Sequence, residues 1–513
     1  MAQGSRSLPA VGDVETAPLL HEGRGPVKGT AASPTPLPKL QVFAVCFMRL
    51  VEPMSIWVIF PFINEMVHAT GIVSTPEEVG YYSGLVESAY HFAQFLTSYF
   101  WGALSDKIGR RSVLCFGLIG LMGGTVVFGF IKVYYWMVIV RFIMAALNGN
   151  AAVGKCVLGE VTDATNQARA FSFLSPAWAI GSILAPIIGG FLSKPAESFP
   201  EIFGNVQLFK TFPYALPCVA GALLTSSGLF VGIFVLKETL PTRARKEPPK
   251  HPAQEANEHH HQHHRHDYGS LTPFPVETEE EPPIEAGITL AEMLMVPNIR
   301  MVLLSYTLLG LITICVDNIF VLWMYTPLKG GGLGLMPSQI GTAMASVGVI
   351  STFLGLFVFP YAQRTIGTTP IYRFCMSLYI LIVILFPTIQ YFAQTNPHIA
   401  VIGVGAICVL KSMGGTVFAC VMILVNMSSP SRTSLGRVNG AAQTSAAMMR
   451  TFGPAAASSL FALSNHRRLA GGMAIYLVLG ALAVASAAIT FFVQEGTPEE
   501  LKQAEAEVPA EEA

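Results

Sequence analysis

Eight ionisable side chains stand inside otherwise apolar stretches of this chain: Arg49, Glu52, Glu87, His91, Arg141, Asp317, Lys411 and Arg450. A charge at bilayer depth is costly, so each must be paired or functional. Arg49 and Glu52 lie one helical turn apart, and Glu87 and His91 are spaced i,i+4, so each couple can neutralise itself. Arg141, Lys411 and Arg450 have no opposite charge within a turn, and Asp317 is the lone acid of its stretch. Their partners must come from other helices, water or substrate. Salt bridges that only hold helices together are the plainer reading; proton or substrate binding is the sharper one. Histidine titrates near neutrality, and a carboxylate one turn away favours its charged form while desolvation opposes it. Glu87 and His91 are therefore the first choice for a proton-responsive pair, with Asp317 and Glu52 next. The four cations Arg49, Arg141, Lys411 and Arg450 face only three acids, Glu52, Glu87 and Asp317. The surplus falls in the second half of the chain. It points to a substrate with a carboxylate or another anionic group, with Arg450 as planar clamp and Lys411 as point charge. Lys155 and Glu160 approach the end of their stretch, where snorkelling accounts for them.

The elements that position these groups are membrane helices. Hydrophobic residues make up 52% of the chain and charged residues 12%, against roughly 25% charged in soluble domains. Mean hydropathy is +0.52. A net charge of −1 offers no basic field for nucleic acid. The eight cysteines contain no close CxxC pair, which argues against a disulfide framework or a zinc knuckle. A span needs about 20 apolar residues, and twelve such runs begin near Leu40, Gly80, Ser112, Tyr134, Arg169, Thr211, Ile299, Ser338, Pro370, His398, Arg437 and Ala470. The expected fold is all-α and polytopic, with twelve transmembrane helices in two six-helix bundles at 40–238 and 299–494. A disordered cytosolic tail (1–39), a disordered His-rich cytosolic linker (239–298) and a cytosolic tail (495–513) complete it. Lys107, Arg110, Arg111, Arg169, Arg243, Arg245, Lys246, Arg364, Arg373, Arg432 and Arg437 then face the cytosol. Lys194, Lys210, Arg467 and Arg468 go against that bias.

Two motifs carry mechanism. The second and third runs are joined by Trp101-Gly102-Ala103-Leu104-Ser105-Asp106-Lys107-Ile108-Gly109-Arg110-Arg111. Asp106, a Gly turn and two Arg can pair across a tight connection and form a latch that opens when bundles rock. An ordinary basic loop is the bland alternative. The fifth run holds Ser172, Gly181, Ala185, Pro186, Gly189 and Gly190, small residues that permit close helix approach around a Pro that bends the helix. In the eleventh run Gly440, Met449, Gly453 and Pro454 repeat part of that spacing, as one duplication would produce. The loop resembles the signature of the major facilitator superfamily, and the fifth-run pattern resembles that superfamily's antiporter motif, with Ser172 and Ala185 where Gly is usual. The mirrored stretch Phe359 to Gly367 keeps the Gly without the acid or the Arg pair, so a second latch is expected to be weak. Trp178, the segment Lys194 to Phe203, Tyr214-Ala215-Leu216-Pro217-Cys218 and Arg437-Val438-Asn439-Gly440 are similar to the zinc-induced-facilitator-like branch and its fungal relatives. That resemblance implies transport of organic metabolites, metal chelators or drugs, often with proton or potassium coupling.

Other signals are weaker. Gly149 to Lys155 has phosphate-loop spacing, but Cys156 replaces the required Ser or Thr, and the stretch lies in an apolar helix. The run His259 to His266 suits metal or pH sensing, or is simply a solvated low-complexity tract. Glu15 to Leu20 fits an acidic dileucine sorting signal, which leaves plasma and vacuolar membranes both open. No HExxH, GxSxG or intact Walker box is present, so an enzyme is not expected. The function expected is secondary active transport of a small organic solute, as proton-coupled efflux or sequestration by alternating access. A carrier of metal chelates in a vacuolar membrane and a transporter-like nutrient sensor are the alternatives. The partners expected are the lipid bilayer, a proton and a small-molecule substrate, with no cofactor, no metal site singled out and no indication of oligomeric state.

Overall fold

The computed structural model describes residues 35–162, 166–239, 295–428 and 435–494. The dileucine pattern, the His run, Arg243, Arg245, Lys246 and Arg432 lie outside them. Among the described residues there is no strand. The first half contributes α1 (Lys39–Trp57), α2 (Val79–Ile108), α3 (Arg110–Gly129), α4 in two pieces (Tyr134–Ala146 and Asn150–Glu160), α5 (Leu174–Leu192) and α6 (Ala215–Phe234). The second contributes α7 (Pro297–Tyr325), α8 (Pro337–Phe353, continued to Ile366 through a π-helical turn at Leu354–Val358), and α9 (Thr368–Ala393). It closes with α10 in two pieces (Pro397–Gly415 and Val417–Met427), α11 (Leu435–His466) and α12 (Ala474–Thr490). Each expected run has its helix. Eight of these elements are long and apolar enough to cross a membrane, and Tyr134–Ala146 and Ala474–Thr490 are shorter apolar helices. α2 and α11 fall outside that set because polar residues break their apolarity. In α2, Leu85, Phe92 and Leu96 are exposed at lipid-facing spacing, whereas Ser83, Glu87, Ser88 and Tyr90 are buried.

The two halves meet on α2 against α11 and α5 against α8. A Pro carbonyl faces a Gly at each contact. A methyl group added at Gly84 of α2 would lie 2.7 Å from the Pro454 carbonyl oxygen of α11. One added at Gly341 of α8 would overlap the Pro186 carbonyl of α5, and Gly190 is equally tight against Pro337. The backbone N–H of Ala455 donates to Ser88 Oγ across the same seam at 3.0 Å. These contacts lie near the starts of α2 and α8 and seal one end of the molecule. At the other end, which carries the α2–α3 and α8–α9 turns, Gly102, Gly154, Gly355 and Gly440 have no neighbour within 4 Å of an added Cβ. At that end a cavity walled by Asn150 and Lys155 of the first half and by Asn426 and Asn439 of the second lies between the halves. Of the fifth-run motif, Gly181 and Gly189 let α5 close on the Leu50 and Val58 carbonyls of α1, and Ala185 is fully buried. Ser172 does not share that packing role: it is exposed, and its hydroxyl donates to the Arg169 carbonyl.

Duplication shows in the turns as well. Gly109 and Gly367 open α3 and α9 with φ of 102° and 92°, a region that disfavours a side chain. Arg111 donates from Nε to the Gly232 carbonyl at 3.2 Å and from Nη2 to the Ile233 carbonyl, clamping the end of α6. Arg373 does the same to the carbonyls of Thr490 and Phe491 at the end of α12. The second half thus retains one part of the motif that its sequence conceals, because the Arg stands four residues farther from the Gly than Arg111 does from Gly109.

Candidate functional site

The buried charges of the first half form one connected network. The Arg141 Nη2 donates to Glu87 Oε2 at 2.8 Å, and His91 Nε2 lies 3.3 Å from the other oxygen, Glu87 Oε1. The face of Tyr90 lies 4.5 Å from the Arg141 guanidinium carbon. Arg141 is fully buried, and its Nε and Nη1 have no hydrogen-bond partner among the described residues. Asn148, in the break between the two pieces of α4, joins this network to the next. Its Nδ2 donates to Glu52 Oε1 at 3.1 Å and approaches Tyr90 Oη at 3.3 Å. Arg49 Nη1 pairs with Glu52 Oε2 at 2.5 Å, and its guanidinium stacks 4.0 Å over Trp178 of α5. The expected pairs Arg49–Glu52 and Glu87–His91 both form, and Arg141 finds its partner across helices. Sequence reasoning missed Asn148, although three polar or flexible residues, Asn148-Gly149-Asn150, interrupt an apolar run there.

In the second half, Lys411 Nζ lies 2.7 Å from Asp317 Oδ1 and 4.7 Å from the centre of the Phe320 ring. Asp317 is thereby paired with Lys411. Arg450 has no acidic partner among the described residues. Lys155, for which snorkelling is the expectation, is exposed on the wall of a cavity between the halves that Arg49 also lines.

That cavity, about 610 Å³, is lined by Arg49, Glu52, Asn150, Lys155, Asn426 and Asn439 among others. A second, about 570 Å³, shares Ser175 and Trp178 with it and extends between α5, α8 and α10. Asp317 and Lys411 open into the second cavity, and Glu52 and Arg49 into the first. Glu87 opens into neither. It lines a gap of only about 20 Å³ between the halves, with Ser83, Asn318 and Ser458, which is room for about one water.

At the basic-loop end, Arg110 Nη1 pairs with Asp106 at 2.6 Å and Arg110 Nη2 with Glu160 of α4 at 2.9 Å. Glu160 therefore anchors the loop to α4 and does not merely snorkel. The backbone N–H groups of Arg110 and Arg111 donate to the Glu238 carboxylate. All these bonds stay within the first half, so in this state the latch motif does not tie the two halves together. Lys155 does not sit in a phosphate loop either, since Gly149 precedes a helix and Gly154 is inside one. Among the described residues no cluster of three or more His, Cys, Asp or Glu is placed to hold a metal.

The chain is similar to known proteins in sequence and fold. Major facilitator-type transporter psiT2 of Psilocybe cyanescens is 30% identical over 88% of this chain and 89% of its own length. Protein ZINC INDUCED FACILITATOR 1 of Arabidopsis thaliana is 27% identical over 88% and 91%. The solved D-xylose–proton symporter shares the fold with a TM-score of 0.65 at 14% identity, covering 90% of this chain and 99% of that one. With the family model for the Major Facilitator Superfamily matching residues 45–454, the chain belongs to that superfamily of membrane transporters.

Proposed function

We propose that this chain is a secondary active transporter that carries a small organic solute with an anionic group out of the cytosol, coupled to protons, by alternating access. One observation supports the reading: Arg49 and Lys155 line one cavity whose single lining acid among the described residues, Glu52, is already held by Arg49, while Arg450 has no acidic partner among the described residues. A cation at that depth without a protein partner needs water or an anionic ligand to offset its desolvation. Arg450 serves as the planar clamp and Lys155 takes the point-charge role first given to Lys411. Glu87, His91 and Arg141 form the proton-responsive group, set at the seam between the halves. Lys107, Arg110, Arg111, Arg364 and Arg373 gather at the open end, so that end faces the cytosol by the positive-inside rule. A resting carrier that presents a cationic cavity there loads from the cytosol, as efflux or sequestration across a plasma or vacuolar membrane requires.

The test is competition in proteoliposomes containing the purified carrier. Once a transported acid is found, its neutral ester competes poorly, and Arg450→Gln narrows the gap between acid and ester. Equal competition by acid and ester in the unmodified carrier refutes the anionic assignment. Saturable binding without flux identifies a sensor.

A further inference from the structure

The two cavities differ in what they offer a ligand. In the first, charge dominates. In the second, Asp317 and Lys411 cancel each other, and several hydroxyls are already committed to their own helices. Ser182 donates to the Trp178 carbonyl, Thr352 to that of Gly348 and Thr416 to that of Met413. The apolar part of that wall is Trp57, Met344, Val347, Leu356, Phe359 and Phe418, beside the hydroxyls of Ser175, Ser351 and Tyr379. Leu356 and Phe418 are exposed, as wall residues of an open chamber must be. A chamber whose charges cancel and whose wall is mostly apolar recognises a ligand chiefly by burying apolar surface. Trp178 is the partition between them, with Arg49 stacked on it at 4.0 Å, so a group bound at Arg49 sits at the doorway to the second chamber.

We infer that the substrate is an amphipathic organic anion: its charged group binds in the first chamber, and an apolar body the size of one or more rings passes Trp178 into the second. The inference rests on the anionic reading above and adds the chemistry of the rest of the molecule. A compact hydrophilic anion would leave about 570 Å³ of apolar-walled space unused, whereas ligand pockets of roughly 300–1,000 Å³ suit drug-sized molecules. Phe418 and Leu356 then set specificity for the body, and Arg49 and Lys155 for the charge.

Calorimetric binding to the full-length carrier in nanodiscs tests this with four probes: acetate, benzoate, 2-naphthoate and the neutral 2-naphthamide. Acetate is expected to bind weakest, and affinity to rise roughly tenfold from benzoate to 2-naphthoate, the change that burying about 55 Å² more apolar surface produces. Phe418→Ser and Leu356→Ser flatten that dependence on ring number and leave the preference for 2-naphthoate over 2-naphthamide in place. Affinity independent of ring number, with the acid still preferred, overturns the two-chamber inference and leaves the anionic reading standing. Equal binding of acid and amide overturns both. Failure of 2-naphthoate to bind overturns the two-chamber assignment as well.

Discussion

Replacing Gly84 by Ala tests whether the Pro–Gly contacts hold one end shut. The new Cβ would lie 2.7 Å from both the Pro454 carbonyl oxygen and the Ser458 Cβ. Ordinary contact begins near 3.4 Å, so one helix must retreat by about 0.7 Å. The obstacle includes backbone inside a helix, which yields less readily than a side chain. Overpacking of this kind costs about 1–3 kcal/mol, and only in the state where this end is sealed. If rocking relieves it, the equilibrium moves roughly 5- to 150-fold toward the state with this end open. Ala also improves helix propensity by about 1 kcal/mol over Gly, a gain common to both states. Gly405→Ala, where no atom lies within 4 Å of the new Cβ, controls for it. Electron–electron distance measurements between spin labels at Ala103 of α2 and Gly440 of α11 report on the open end. Gly84→Ala is expected to shorten that distance population, and Gly405→Ala to leave it unchanged. A folded Gly84→Ala carrier with the original distance distribution would show that the seam absorbs the methyl locally and that these contacts do not set the conformational balance.

Three further outcomes follow from the geometry. Asp106→Asn, at an exposed position tied to Arg110, is expected to slow transport with substrate binding nearly unchanged; normal turnover with lost binding contradicts the latch role. Glu87→Gln is expected to flatten the pH dependence of transport, because it removes the carboxylate shared by His91 and Arg141; an unaltered profile in a folded variant moves the proton site to Asp317 or Glu52. Lys194, in the connection between α5 and α6, pairs with Glu65 and Glu197. Partial burial pulls its ammonium down, but the Glu65 and Glu197 carboxylates outweigh that and hold it above the ordinary lysine value of 10.5. Its folded-state value being raised, its contribution is complete below that ordinary value and is lost as pH climbs through the raised one. The protection of amides over 193–214, taken relative to their intrinsic base-catalysed exchange, should therefore fall only in that alkaline range, whereas Lys194→Met lowers it at neutral pH; unchanged protection in the variant disproves the clamp.

Much of the architecture was legible because membrane insertion leaves few options: backbone polar groups must be satisfied within helices, so the length and spacing of apolar runs disclose the spans. The i,i+3 and i,i+4 pairs Arg49–Glu52 and Glu87–His91 were legible for the same local reason. The Gly and Pro positions of the fifth run were also readable as close-packing sites. What only the tertiary structure decided are the relations between helices. It joined Arg141 to Glu87 and Lys411 to Asp317, and it turned Lys155 toward the cavity. Its interhelical packing also revealed that Arg373 repeats the clamp of Arg111. A side chain's neighbour across a bundle depends on helix rotation, tilt and breaks such as those in α4 and α10. None of these is encoded by spacing along a single helix. The apolar pattern determined that this protein lies in a membrane as two related sets of spans, whereas the packing of those spans decided which charges are spent on each other and which remain to meet a substrate.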